Sequence, residues 1–439
     1  MNQTPLLQAF EHFQAGRLER AAELLRQHLK QSPSDGPANH LLGSIYYRQG
    51  RLIEARDHQQ RACSAPGATA EMFNNLGAFQ KALGDDRGAV ASYQRALALD
   101  PNHVETLNNL GVIYRAQRNT RKAIEILRRA VALKPDYPES QKNLRNAYND
   151  IIPAWHFAMV NDRPRNDAYQ AAIARAAPGK RVLDVGTGSG LLAMMAARAG
   201  AKNVTSCEAN EVIAERAGDI IALNGLADRI KVIAKHSSAL SAGGEFPERA
   251  EVLITETFSS DLLSEGILST IEHAHRYLLT PDAVVIPRVA SAMAYLAGGA
   301  EIEMLLYAGS SNGFDLSPFN EFAPVLLAAG MNNVTHNVLS DDFELFSFDL
   351  RAKLFGMDSR MLTIPVLKSG VVAAVVQWIK LDLDGISRYE NRPWSSAEAE
   401  SHWTHILYRL PRPIAVQAGE TVRLWIGHNR EQISVRPAD

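Results

Sequence analysis

The first third of the chain repeats one pattern of apolar and small residues. Three stretches, LLGSIYYRQGRLIEA, NLGAFQKALGDDRGA and NLGVIYRAQRNTRKA, follow one another with a period of 34 residues. Glycine returns with this period at Gly43, Gly77 and Gly111, and alanine at Ala55, Ala89 and Ala123. The pattern predicts pairs of helices that cross closely where the small residues lie, with Pro101 and Pro135 ending the second helix of a pair.

These repeats resemble the tetratricopeptide repeat, with four copies over about residues 2–137. Residues 138–150 predict one further helix that caps the stack. A solenoid of helix pairs has a concave face, and Asn75, Asn109 and Asn143 recur at one position of successive units. Because amide side chains can pair with the backbone of an extended peptide, we expect these asparagines to bind protein substrates. The alternative, that asparagine merely suits this position of the repeat, stays open.

The middle of the chain reads as a strand, a glycine-rich turn and a helix. The segment RVLDVGTGSG at 181–190 ends in Asp184 and three glycines and is followed by LLAMMAARAGA at helical period. Glu208 ends a second strand about 20 residues further on, where a carboxylate can bind ribose hydroxyls. Asp184 two residues before the first glycine, and the absence of GxGxxG spacing, favour S-adenosylmethionine over a dinucleotide.

Two glutamates follow the next predicted strand, AEVLITE. Glu256 lies at its end and Glu265 nine residues later, so that they close a loop at the edge of the sheet where ligands bind. Two converging carboxylates repel each other unless a cation or a proton lies between them. A planar guanidinium with five donors is the natural occupant.

From about residue 150 to its end the chain resembles the protein arginine N-methyltransferase family. HFAMVNDRPRNDAY matches the family's N-terminal helix, RVLDVGTGSG its cofactor loop, TETFSSDLLSEG its double-glutamate loop and SHWTH its Thr-His-Trp loop. VIAKHS, the glutamate loop and EHAHRYL are most similar to the monomethylating branch.

The resemblance implies a role for each matching residue. Glu256 and Glu265 clamp the substrate arginine, and His402, hydrogen-bonded to Asp162, is the proton acceptor or an organiser of the site. The residues assigned to the cofactor, S-adenosyl-L-methionine, are His156, Arg165, Asp184, Gly186, Gly188, Glu208 and Ser237, the last standing where many members have a glutamate near adenine. Trp403 and Met159 are assigned to the substrate, and the repeat pattern adds Asn75, Asn109 and Asn143. Thr404 and His405 replace the usual Lys-Gln, which leaves mono- and dimethylation open.

Composition and charge exclude several other classes. Of 439 residues, 46% are hydrophobic and 21% charged, as in soluble folded proteins. The net charge of −2 divides into +5 for residues 1–150 and −7 for the remainder, which suits a cationic substrate and gives no reason to expect nucleic acid. Cys63 and Cys207 lack disulfide or metal-ligand spacing, so no metal is expected. With no signal peptide or long apolar run, we expect a cytoplasmic protein without a membrane partner.

The predicted fold is an α-solenoid, then an α/β Rossmann-like methyltransferase domain, then a C-terminal β-barrel-like domain. The expected domains are 1–150, 151–288 and 289–439, since runs such as GVVAAVVQWIKLDL and ETVRLWIG read as antiparallel strands. A dimerisation arm is expected near 301–319, with a head-to-tail homodimer. The expected partners are proteins or peptides with an accessible arginine, together with a repeat-bound protein. The alternatives are a scaffold that binds the cofactor without catalysis, and a methyltransferase for another nucleophile.

Overall fold

The computed structural model describes residues 4–152, 155–241, 243, 246, 248–394, 401 and 403–438. The chain divides into two compact units, Met1–Pro153 and Ala154–Asp439. Within the described ranges, no helix is both long and apolar enough to cross a membrane.

The first unit is a series of helices that pack in consecutive pairs. A Cβ at Gly77 would lie 2.6 Å from the ring of Tyr93, and one at Gly111 would lie 2.5 Å from Leu127, so glycine at the repeat position permits the close crossing. The helices are α1 (Pro5–Gln14), α2 (Leu18–Gln31), α3 (Gly36–Arg48), α4 (Leu52–Ser64), α5 (Ala70–Ala82), α6 (Asp86–Leu99), α7 (Val104–Ala116), α8 (Thr120–Leu133) and α9 (Pro138–Asn149). The predicted repeat array and its additional last helix are confirmed.

The second unit begins with a five-stranded parallel sheet in the order β3-β2-β1-β4-β5. Its strands β1 and β4 are buried almost throughout, as expected for a sheet covered on both faces. The elements are α10 (Trp155–Asn161), α11 (Arg163–Ala176), β1 (Arg181–Val185), α12 (Leu191–Arg198), β2 (Asn203–Cys207), α13 (Glu211–Leu223), β3 (Ile230–Ile233), β4 (Ala250–Thr255), α14 (Ile267–His273) and β5 (Leu279–Ile286). Because β1 pairs with both β2 and β4, the chain reverses its direction of progress at β1, where α/β sheets bind ligands.

Antiparallel strands make up the remainder of this unit. One sheet has the order β10-β6-β13-β15-β9, with β11 also on β6 and β14 also on β13, and a second has the order β12-β16-β17. The elements are β6 (Val289–Gly298), α15 (Ala300–Leu306), β7 (Ser310–Ser311), β8 (Phe314–Asp315), β9 (Leu326–Ala329), β10 (Asn337–Val338), β11 (Phe343–Asp349), β12 (Asp358–Pro365), β13 (Gly370–Asp382), β14 (Arg388–Glu390), β15 (His405–Val416), β16 (Thr421–His428) and β17 (Ile433–Pro437). One hydrophobic core joins the parallel sheet to these strands. The predicted fold class is therefore confirmed.

Candidate functional site

Strand register brings three predicted site segments to one edge of the parallel sheet. Val185 at the end of β1 pairs with Cys207 of β2 on one side and with Thr255 of β4 on the other. The next residue of each strand therefore emerges at the same edge: Gly186, Glu208 and Glu256. The sequence places the glycine loop and both acidic residues far apart, and only the strand order makes them neighbours.

The glycine loop needs glycine for both backbone shape and space. Gly186 has a φ of +86° and Gly188 a φ of +52°, in the left-handed region that favours glycine. A Cβ at Gly186 would lie 2.6 Å from Thr257 Cγ2, a side chain of the glutamate loop. The two loops are therefore packed against each other without room for a methyl group.

Glu208 is fixed against the glycine loop by backbone donors. Its Oε2 accepts a hydrogen bond from Gly188 N at 3.2 Å, and its Oε1 accepts one from Asn210 N at 3.0 Å. Both carboxylate oxygens are thus oriented at the end of β2. This carboxylate is half-buried beside the glycine loop.

Asp184 is a buried carboxyl directly beneath this loop. Its Oδ2 accepts a hydrogen bond from Ser206 Oγ at 2.6 Å, whereas its Oδ1 has no hydrogen-bond partner within the described part of the chain. Burial raises the pKa of Asp184 to about 7, Glu208 adds to the rise, and the bond from Ser206 opposes it. The glycine loop therefore follows directly after a buried carboxyl whose pKa is raised toward neutrality.

Glu256 forms a buried ion pair with Arg165. Arg165 Nη2 lies 2.8 Å from Glu256 Oε2, and the two side chains are only 4% and 5% exposed. Burial lowers the pKa of Arg165, but the charge of Glu256 more than offsets this, so that the pKa is raised overall. The residue predicted to bind the cofactor's carboxylate therefore contacts the glutamate predicted to bind the substrate's guanidinium.

The loop from Glu256 to Glu265 carries its own internal support. Asp261, buried, accepts hydrogen bonds from Ser264 N at 3.1 Å and Ser264 Oγ at 2.8 Å, and it also pairs with Ser259 Oγ. Glu265 at the end of the loop is exposed. In this structure Asp261 therefore holds the loop together.

Two residues of the barrel-like part contact the same loop. Trp403 is buried, and its Nε1 donates to Phe258 O at 2.8 Å. Thr404 Oγ1 donates to Ser260 Oγ at 3.1 Å. The indole predicted to bind substrate is therefore in contact with the glutamate loop, and Thr404, one of the departures from the family pattern, contacts it as well.

Two residues that the sequence did not single out organise this region. Asn391 donates from Nδ2 to Trp403 O at 3.1 Å and accepts at Oδ1 from Ile379 N at 2.7 Å. Tyr389 donates its hydroxyl to Asp162 Oδ2 at 2.5 Å. No spacing or motif marks these residues, because the strand pairing that places them joins distant parts of the chain.

The other predicted site residues in this unit lie on α10, at the start of α11, after β3 or outside the described range. Asp162 caps α11 by accepting from Arg165 N at 3.1 Å. His156 and Met159 are half-buried on α10, and Ser237 is buried in a short turn after β3. His402 lies outside the described residues.

Two of the three recurring asparagines of the first unit contact the preceding repeat. Asn109 Nδ2 donates to Asn74 Oδ1 at 3.1 Å, and Asn143 Nδ2 donates to Asn108 Oδ1 at 2.8 Å. Asn75 lines a cavity of about 820 Å³ between the first helices of the repeats. The amides of Asn109 and Asn143 therefore link repeats, and all three asparagines remain partly exposed.

Comparison with known proteins gives matches along the chain. A tetratricopeptide repeat family model matches residues 6–71 and another matches 68–136, and a model of ribosomal protein L11 methyltransferase (PrmA) matches 169–278. The chain is 37% identical over 282 residues to an arginine N(omega)-methyltransferase of Streptomyces achromogenes subsp. streptozoticus, covering 63% of this chain and 76% of that protein. It is 30% identical over 315 residues to protein arginine N-methyltransferase 7 of Drosophila yakuba, covering 62% of this chain but only 46% of that protein.

Solved structures share the fold at lower identity. The Trypanosoma brucei PRMT1 enzyme-prozyme heterotetrameric complex with AdoHcy aligns with a TM-score of 0.56 at 22% identity, covering 63% of this chain and 88% of that chain. Arabidopsis thaliana protein arginine methyltransferase 10 aligns with a TM-score of 0.53 at 22% identity, covering 63% and 90%. On its identity to the Streptomyces enzyme and the extent of that match, this chain belongs to the arginine N-methyltransferase family and carries tetratricopeptide repeats ahead of the shared region.

Proposed function

We propose that this protein transfers a methyl group from S-adenosylmethionine to a guanidinium nitrogen of arginine side chains in proteins, and that its repeats recruit those proteins. The observation that carries the proposal is the 2.8 Å contact between Glu256 and the guanidinium of Arg165 in a buried setting. A guanidinium, the chemical group that a substrate arginine would present, thus already lies against the glutamate at the end of β4. A planar guanidinium with five donors has room for a second carboxylate as well.

The residues at the sheet edge fit the cofactor. Gly186 and Gly188 leave the backbone open to a close ligand, Glu208 is oriented for ribose hydroxyls, and the buried Asp184 Oδ1 has an unused hydrogen-bonding site within the described range. Arg165 would bind the carboxylate of the cofactor's amino-acid part, and His156 and Ser237 would add further contacts with the cofactor. When bound, S-adenosylmethionine supplies an electrophilic methyl group on a sulfonium.

The glutamates make arginine reactive by redistributing its charge. A free guanidinium, with a pKa above about 12, is protonated and delocalised and therefore a poor nucleophile. Glu256 and Glu265 would draw positive charge toward the nitrogens that they contact, leaving the remaining nitrogen with more lone-pair character. Because Glu256 is shielded from water, its effect on a bound guanidinium is stronger than at the surface. Holding that nitrogen in line with the methyl group of the cofactor supplies most of the remaining rate enhancement.

A proton must leave the arginine as the new bond forms. His402 with Asp162 would accept it, because a histidine paired with a carboxylate titrates near neutral pH. Asp162 is buried, and it accepts hydrogen bonds from the backbone of α11 and from Tyr389. Trp403 and Thr404 would keep the glutamate loop in the position that the transfer requires.

The repeats offer a surface for a protein segment. The 820 Å³ cavity is lined by aromatic side chains, among them Phe10, Tyr47 and Phe79, and by the amide of Asn75. We propose that Asn75, Asn109 and Asn143 contact a bound segment with those polar atoms that the links between repeats leave exposed. Asn109→Ala should then raise KM for a protein substrate and leave KM for a short arginine peptide unchanged; an equal effect on both would assign the asparagine to repeat stability alone.

Exposed apolar side chains support a homodimer. Residues 301–325 present Phe314, Phe319, Phe322 and Val325, each about 70% exposed or close to it. Surface patches of this kind mark protein contacts. We propose that this arm joins two copies head to tail, that the domains end near 150 and 288, and that the protein works in the cytoplasm.

Two other functions are compatible with parts of the molecule. A scaffold without catalysis would bind the cofactor at the glycine loop and transfer no methyl group to any acceptor. Free arginine is a specific alternative to protein arginine, because the Streptomyces relative is named for arginine itself. The test must therefore contain both kinds of acceptor.

The experiment supplies methyl-labelled S-adenosylmethionine to the full chain with a protein lysate, an arginine-rich peptide or free arginine. We expect transfer to protein and peptide, and its loss in Glu256→Gln. Glu272→Gln is the matched control: that glutamate also pairs with an arginine, Arg430, but lies outside the glycine and glutamate loops. Transfer to free arginine alone would contradict the proposed substrate, and S-adenosylhomocysteine binding without transfer to any acceptor would favour the scaffold.

A further inference from the structure

Ser206 joins the glycine loop to the carboxyl that precedes it. It lies on β2, where it pairs with Asp184 of β1, and its side chain is fully buried. Its Oγ lies 2.6 Å from Asp184 Oδ2 and 2.6 Å from Thr187 Oγ1. Thr187 is the buried residue between Gly186 and Gly188. One hydroxyl group therefore contacts both the end of β1 and the loop that follows it.

The hydrogen bonds of this hydroxyl run in one direction. It has one proton, which it donates to Asp184 Oδ2, so the hydroxyl of Thr187 donates to Ser206 Oγ. Burial raises the pKa of Asp184 to about 7, so its carboxyl occurs both ionised and protonated near neutral pH. Asp184 Oδ1, which has no hydrogen-bond partner in the described part of the chain, can carry the proton, so that Oδ2 accepts in either state. Donors that point along a chain toward one acceptor strengthen one another.

Thr187 stands between two glycines, so its side chain is the one by which this stretch of the loop can be held. The end of β2 also binds the backbone here, because Gly186 N and Thr187 N donate to Cys207 O at 3.0 and 3.1 Å. The next amide, that of Gly188, donates to Glu208 Oε2. Glycines lose much conformational freedom when a loop becomes ordered. A hydrogen bond that orders the loop before a ligand arrives lowers this cost of binding.

We infer that Ser206 is a positioning residue for the cofactor: through Thr187 it holds the glycine loop in the shape that a close ligand requires. The inference rests on the proposed function, in which this loop approaches S-adenosylmethionine. Ser206 is buried and acts through the loop. No motif marks it in the sequence, because its role follows from the pairing of β2 with β1.

The test removes each hydroxyl in the full chain. Ser206→Ala keeps the strand, and Thr187→Val keeps the branched shape of the side chain. Without ligand, we expect hydrogen exchange of the backbone amides of residues 186–190 to become about threefold to tenfold faster in either variant, as the loss of one buried hydrogen bond implies. Calorimetry with S-adenosylhomocysteine should give a Kd raised by the same factor. Because both variants break one chain of bonds, the double variant should lose no more than either single variant.

Ser291→Ala is the matched control. Ser291 lies on β6, is 7% exposed and pairs with another hydroxyl, Ser347 Oγ, at 2.8 Å. It therefore also loses a bond between two hydroxyls, but in the antiparallel sheet. We expect the control to have the loop exchange and the Kd of the parent chain. Unchanged exchange or an unchanged Kd in Ser206→Ala, equal changes in the control, or effects that multiply in the double variant overturn the inference.

The exchange measurement separates this inference from the proposed function. If S-adenosylhomocysteine does not bind the parent chain, the proposed cofactor is wrong, and the exchange rates still decide whether Ser206 orders the loop. If it binds the parent chain and Ser206→Ala equally, only the role of Ser206 is refuted.

Discussion

The contact between the glycine loop and the glutamate loop can be tested by adding one methyl group. In Gly186→Ala the new Cβ would lie 2.6 Å from Thr257 Cγ2, closer than real side-chain carbons approach, and the residue would keep a φ of +86°. Gly179→Ala is a matched control in the same unit, because Gly179 has a φ of +72° and nothing within 4 Å of its Cβ position. The two substitutions share the backbone strain and differ only in crowding.

The expected losses in the free energy of unfolding follow from the backbone strain and the crowding. A left-handed conformation costs an alanine about 1–2 kcal/mol, which applies to both variants. Overpacking a filled site adds about 1–3 kcal/mol, which applies to Gly186→Ala alone. We therefore expect the free energy of unfolding to fall by roughly 2–5 kcal/mol in Gly186→Ala, against about 1–2 kcal/mol in the control.

Intrinsic tryptophan fluorescence during urea unfolding is the assay. All five tryptophans lie in the second unit, so the signal reports that unit within the full chain. Thr257→Ser removes Cγ2 and keeps the hydroxyl. In the Gly186→Ala background it should therefore recover the part of the unfolding free energy that overpacking had cost. Equal losses in Gly186→Ala and Gly179→Ala, or no rescue by Thr257→Ser, would refute the reasoning.

Three further predictions concern the loop, the buried carboxyl and the arm. Trp403→Phe removes the donor to Phe258 O and leaves a buried carbonyl unpaired, so the second unit should lose about 1–3 kcal/mol and KM for arginine peptides should rise; an unchanged KM would separate the indole from the site. Burial raises the pKa of Asp184 to about 7, above its unfolded value near 4, so the folded state binds the proton more tightly and stability falls as pH rises between these values. Asp184→Asn removes this dependence, so its stability relative to the parent chain should be about 2–3 kcal/mol more favourable at pH 8 than at pH 5, and equal differences at both pH values would contradict the assignment. Phe322→Glu places a charge on the exposed arm and should shift the protein from dimer to monomer in analytical ultracentrifugation, whereas an unchanged mass would place the dimer contact elsewhere.

Much of the fold was predictable because its signals are local. The 34-residue period, the glycines at Gly77 and Gly111 and the prolines after the second helices each describe one repeat and its neighbour. The glycine loop and the double-glutamate segment are likewise continuous in sequence. Parallel order then places Glu208 and Glu256 beside Gly186, as expected for ligand sites in α/β sheets.

The contacts that support the site were not predictable in the same way. Tyr389 reaches Asp162 across 227 positions of the chain, and Trp403 reaches Phe258 across 145. Such pairs depend on how the antiparallel strands pack on the parallel sheet, and the sequence carries no period that specifies this. The ion pair of Arg165 was not predictable either. The sequence suggests only the cofactor's carboxylate as a partner of Arg165, whereas in the structure Arg165 also pairs with Glu256.

Product identification tests the central claim most directly. The full chain is incubated with S-adenosylmethionine labelled in its methyl carbon and with an arginine-rich protein, the protein is hydrolysed, and the labelled amino acid is identified by chromatography and mass spectrometry. We predict label in arginine methylated at a guanidinium nitrogen, absent with Glu256→Gln and retained with Glu272→Gln. Label in another amino acid, or methylarginine formed equally by Glu256→Gln, would contradict the account.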